Sequence, residues 1–217
     1  MNKIIDKEEK KKFLKDVILS LHKGLSFEEA KNKIEKEIGE VTTSEIAEVE
    51  QALLNEGVST DEIKGCCNVH ALLFKASMSK KMDDVESPSH PVYLFKLENR
   101  EIEKLNKAIN SLIDKKDKIG FEEFKAGIKS LLTKLRDVNI HYTRKEQLLF
   151  PFLEKYGFFG PSKVMWGKDN DIRNLLKSAL EETEKTKDKL NFEYLIKNNL
   201  NPLIEEVDGM IFKEENI

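Results

Sequence analysis

The sequence is poor in everything that would tie it together covalently or break it into short pieces. It has two cysteines among 217 residues, and they are neighbours, Cys66 and Cys67. Adjacent cysteines bridge only with strain, so no disulfide framework is expected and both thiols are read as reduced. Five prolines and ten glycines leave long uninterrupted stretches. No apolar run approaches the roughly 20 residues of a membrane span. The charged start, Met1 to Lys12, has no signal-peptide core. The expected location is the cytoplasm, away from membranes. Basic residues are not gathered into a stripe, and the net charge is −3. Nucleic acid is therefore not an expected partner.

What is present is charge and aliphatic residue in alternation. Charged residues make up 35% of the chain, and the apolar positions between them recur at helical spacing, the mark of amphipathic helices. Phe13, Leu14, Val17, Ile18 and Leu21 form one such stripe, and Gly24 follows as a stop signal. Ser26 with Glu29 is a capping box. Thr43 opens a third stretch, and Ser59 or Thr60 with Glu62 opens a fourth. The polar segment 80–89 then interrupts the pattern. Beyond it, four longer helices are predicted over 88–114, 121–154, 162–188 and 191–217. The expected architecture is all-α: an N-terminal module of four short helices over 1–82, then an up-down-up-down four-helix bundle over 88–217.

The long helices carry polar residues on their apolar faces. The first has Leu94, Glu98, Ile102, Leu105, Ile109 and Leu112 on one face, with His90 a further turn toward its start. The second has Ile128, Leu131, Leu135, Val138, Tyr142, Lys145 and Leu149, with His141 and Glu146 beside them. Asp169 lies between Met165 and Ile172 on the third, and the fourth runs Ile196, Leu200, Leu203, Val207, Met210 and Glu214. In an up-down-up-down bundle His90, Glu98, His141, Glu146, Asp169 and Glu214 fall in one half. Unpaired charge in a core costs several kcal/mol, so a shared divalent cation is one solution. Imidazole and carboxylate ligands suit iron, manganese or zinc, iron first. The competing solution is a buried ion pair, such as Glu98 with Lys145, which needs no metal.

Four stretches carry a resemblance: SPSHPVYLFKLENR (87–100), HYTRKEQLLFPFLEK (141–155), VMWGKDNDIR (164–173) and MIFKEENI (210–217). They resemble a hemerythrin-like HHE cation-binding domain. The first 80 residues, with LHKG (21–24), IEKEIG (34–39) and CNVHALLFK (67–75), look like domain of unknown function 438. The resemblance implies a non-haem iron centre, mononuclear or dinuclear, in a sensory or ligand-binding protein that answers to a diatomic gas or small ligand. Oxygen- or peroxide-reducing and iron-cluster-repairing relatives make an enzyme the alternative, and no turnover is assigned. Longer relatives continue into a C-terminal sensor domain, which is a possible partner.

The resemblance transfers His90, His141 and Glu214 as ligands. It also shows defects: Lys145 stands at an expected carboxylate, Asp169 and Met210 at expected histidines. Haem held by His141 and Met210 is an alternative cofactor, and a metal-free interaction module is another outcome. In the N-terminal module His22, Cys67 and His70 are candidates to form a second site or to cap the first, because a C-x-x-H spacing puts thiolate and imidazole on one helix face.

Overall fold

A computed structural model of the chain describes residues 6–38, 41–60, 62–63, 88 and 90–216. Every regular element among the described residues is helical. None of these helices is long and apolar enough to cross a membrane. The chain divides into two compact units. One comprises Met1–Asp84, Phe150–Gly167 and Phe212–Ile217, the other Val85–Leu149 and Lys168–Ile211.

The first unit opens with α1 (Lys7–His22), α2 (Phe27–Glu37) and α3 (Thr43–Asn55). Each begins where a short polar side chain can take up an otherwise unbonded backbone N–H. Asp6 accepts from Lys7 N–H at 2.8 Å. Ser26 and Glu29 form the capping box expected of them, and Thr42 and Glu45 form another. The cap of α3 therefore lies one residue before the expected Thr43. Ser59 and Glu62 exchange bonds of 3.2 and 2.9 Å, the start of the expected fourth helix; residues 64–87 lie outside the described ones. Gly24, at φ +99°, ends α1 in a backbone region that side chains disfavour, which is why a stop falls there.

The α1 stripe Leu14, Val17, Ile18 and Leu21 packs with Ala30 and Ile34 of α2, Val49 and Leu53 of α3, Val41 and Ile63. Each such aliphatic side chain gains roughly 1.5–3 kcal/mol on burial. Val164, far along the chain, joins the same core. It belongs to the start of a long helix beginning at Gly160, whose first N–H groups are held by a distant side chain: Gln51 Oε1 accepts from Phe159 N–H at 2.9 Å and Gly160 N–H at 2.7 Å. A Cβ on Gly160 would stand 3.3 Å from the Gln51 backbone, so glycine permits this approach. The short helix α7 (Phe150–Lys155) also lies in this unit.

The second unit holds α4 (Pro91–Asp114), α5 (Phe121–Leu135) and α6 (Val138–Arg144), then a π turn over Lys145–Leu149. It also holds α8 (Gly160–Lys185) from Lys168 onward, α9 (Leu190–Leu195), a second π turn over Ile196–Leu200, and α10 (Asn201–Asn216) up to Ile211. Two expected helices are thus subdivided. A π turn admits an extra residue and rotates everything after it by about 100°, which a constant period cannot anticipate. The core is built from Ile109, Phe124, Ile128, Leu132, Ile172, Ala179, Leu200 and Leu203, all fully or nearly fully buried. On α4 the buried face runs Asn99, Ile102, Asn106, Ile109, whereas Leu94 is 56% exposed. Reading apolar residues alone skipped the two asparagines. Asn106 earns its interior place by donating to Asp208 Oδ1 at 2.8 Å and to the Ile204 carbonyl at 3.3 Å.

One buried charge in the first unit has a readable pH consequence. Glu50 on α3 is 4% exposed, and burial pushes its carboxyl from 4.5 up to about 7, against the opposing pull of Lys213. A carboxyl whose folded value is raised stabilises the fold at acid pH, and that contribution is lost as pH rises through 7. Glu50→Gln is expected to flatten the fall in melting temperature between pH 4.5 and 7, and above pH 7 to gain up to roughly 3 kcal/mol. A variant that keeps the wild-type slope across this window would show that Glu50 is not the group responsible.

Candidate functional site

The polar residues of the second unit cluster where α6 passes into its π turn. His141, 3% exposed, sits on α6 with Nδ1 2.7 Å from Glu98 Oε2 of α4. A carboxylate accepts and cannot donate, so this bond puts the ring proton on Nδ1. Phe95 meets the imidazole edge-on at 5.3 Å between centroids, fixing the ring plane. The other oxygen of Glu98 accepts from the Arg144 guanidinium. The carboxylate is therefore shared between an imidazole and a guanidinium.

One helical turn beyond His141 the π turn begins with Lys145. Its ammonium is 2.7 Å from Asp169 Oδ1 on α8, and the two side chains are 3% and 0% exposed. The same Nζ stands 4.4 Å from the centroid of the Tyr142 ring, and Arg173 Cζ stands 5.8 Å from it. Arg173 in turn donates to Glu146 Oε1 at 2.8 Å and to Asn170 Oδ1 at 2.9 Å. Three carboxylates thus face three cations: Glu98 with Arg144, Asp169 with Lys145, Glu146 with Arg173. Burying such pairs costs desolvation that the attraction only roughly offsets, but removing one member strands the other.

Beside this cluster lies a cleft of about 520 Å³ between α4 and α5–α6. Ile102, Leu105, Leu135 and Val138 supply apolar wall; Glu98, His141 and Arg144 supply polar groups, and the charged residues Glu101, Lys104, Lys134 and Asp137 line it as well. Its volume falls within the range of small-molecule sites.

The remaining sequence candidates are placed as follows. His90 is exposed and serves as the N-cap of α4, its Nδ1 accepting from Val92 N–H at 3.2 Å. Met210 is buried on α10 at 1% exposure. Glu214 is half-buried on the last stretch of α10, which belongs to the first unit. His22 closes α1, with its side chain outside the described set, and Cys67 and His70 lie outside the described residues. The pairing of Glu98 with Lys145 considered from sequence is replaced by Glu98 with His141 and Arg144, and Lys145 with Asp169. Sequence reasoning missed Arg144, Arg173 and the role of Tyr142. Arg173 was signalled by its place one turn after Asp169 on the same helix.

These residues do not fit a two-iron centre. Each candidate carboxylate of the cluster already has a cationic partner, and Lys145, at the position the resemblance gives to a carboxylate, brings an ammonium, which cannot ligate. Among the described residues no three His, Cys, Asp or Glu side chains gather in a way that could hold a metal ion.

A family model described as Hemerythrin HHE cation binding domain matches residues 90–217. A second, described as a family of unknown function (DUF438), matches residues 14–80. No curated protein and no solved structure matches the chain.

The Glu98–His141 bond is open to direct measurement. In a double-mutant cycle with Glu98→Gln and His141→Ala, urea unfolding is expected to give a coupling of about 1–2 kcal/mol. A coupling near zero would mean that the carboxylate does not hold the imidazole.

Proposed function

The chain belongs to the hemerythrin HHE cation-binding family over residues 90–217, and from that premise we propose that it is a sensory or ligand-binding protein rather than a catalyst of turnover. Within the second unit α4, α5–α6, α8 and α9–α10 are taken as the limbs of an up-down-up-down bundle. The observation that carries the reading is the buried His141 imidazole, held by Glu98 in the wall of a cleft of about 520 Å³. A small molecule with an apolar body would cover Ile102, Leu105, Leu135 and Val138 and present its polar end to His141 and Arg144. Because Glu98 bonds both of those residues, an occupant that competes for either would shift the balance of the whole ion-pair cluster. The signal would be a change of pairing, with no bond made or broken.

A second reading keeps a cation-dependent response to a diatomic gas. It is favoured by the same Glu98–His141 bond, since metal-binding imidazoles commonly give their other N–H to a carboxylate.

The two readings separate in solution. With the amphipathic dye anilinonaphthalene sulfonate as probe, the metal-free chain is expected to give saturable fluorescence enhancement that Leu105→Trp, which fills the cleft, abolishes. An unchanged signal in Leu105→Trp would remove the cleft reading. Iron retained in stoichiometric amount, or a haem Soret band in the ultraviolet–visible spectrum, would favour the cofactor-dependent reading instead.

A further inference from the structure

We propose that the Lys145 ammonium supplies, from inside the fold, the positive charge that a bound cation supplies in this family, so that the second unit is folded and complete without a metal. The proposal concerns the Lys145–Asp169 pair and stands apart from the cleft reading.

The resemblance places a carboxylate at position 145 and a histidine at 169. The chain has lysine and aspartate there. Taken singly, each exchange looks like damage: one puts a cation among ligands, the other replaces an imidazole by a shorter acid. Taken together they are complementary, because two groups that would both face a cation have become a cation and its counter-ion. Their separation is 2.7 Å, and neither side chain exceeds 3% exposure. A carboxylate at 0% exposure needs a positive neighbour or a proton, and Lys145 is that neighbour.

The surroundings are built for an ammonium. The Tyr142 ring lies 4.4 Å from Nζ, within the range at which an aromatic face attracts a cation. The neighbouring carboxylates do not call for a further cation, since Arg173 binds Glu146 and Arg144 binds Glu98. A divalent ion entering here would meet the positive charge of Lys145 beside carboxylates that already have cationic partners. The internal pair is therefore a substitute for the metal and a barrier to it.

The test uses the full chain, purified without a metal-chelating tag. After dialysis against chelator it is expected to melt within about 1 °C of the same protein supplied with iron(II), manganese(II) or zinc(II), because a ligand that does not bind the folded state does not shift its melting. Lys145→Met, which strands Asp169, is expected to melt about 10 °C lower or to fail to fold. Lys145→Met/Asp169→Leu, which removes both charges, is expected to recover more than half of that loss. A wild-type chain that retains about one equivalent of metal or loses melting temperature in chelator overturns the proposal. So does a double variant that melts no higher than Lys145→Met, because Lys145 would then matter for packing rather than for charge.

Discussion

A charge buried in a helical core must have its opposite within reach, and the second unit is organised around that requirement. Lys145 and Asp169 meet it in full burial; Glu146 with Arg173 and Glu98 with Arg144 meet it closer to solvent. Tyr142 lies under Lys145 and beside Arg173, so the Lys145–Asp169 and Arg173–Glu146 pairs share one ring. A change at one would be felt through the shared ring by the next. The site is best understood as one network spread over α4, α6, the π turn and α8, with His141 as its imidazole member.

Much of the helical pattern could be read directly. The α1 stripe from Leu14 to Leu21 is buried as its spacing implied, and the Ser26–Glu29 box forms. The family resemblance drawn from the four quoted stretches is matched by the family models. Periodicity failed where backbone geometry departs from a constant pitch. The π turns at Lys145–Leu149 and Ile196–Leu200 break helices that the pattern treats as continuous. It also failed on the inner face of α4, where Asn99 and Asn106 are buried and Leu94 is not. A hydrophobic stripe says which residues prefer the interior, not which polar ones the interior can accommodate.

The site was legible by residue and not by partner. That His141, Glu98, Glu146 and Asp169 interrupt apolar faces is visible in the sequence, and the structure gives each a named partner. Which cation serves which carboxylate depends on how α6 and α8 are rotated about their axes, and that is set by packing. Polar residues on separate helices can meet around a shared ion or around one another, and the two solutions have similar spacing. What tells them apart is the sign of the residue at position 145, because only there does the chain exchange an expected donor for a cation.

Gln51 carries a consequence for dissecting the chain. It caps the start of a helix 109 positions later, and Val164 in that helix shares a core with α1, α2 and α3. A fragment cut at the family boundary and beginning at residue 90 would bring the stretch 150–167 away from the side chains that satisfy it. Its first amides would be left to water and its valine to solvent. The divisions that inheritance draws along this polypeptide are therefore not the ones along which it can be taken apart.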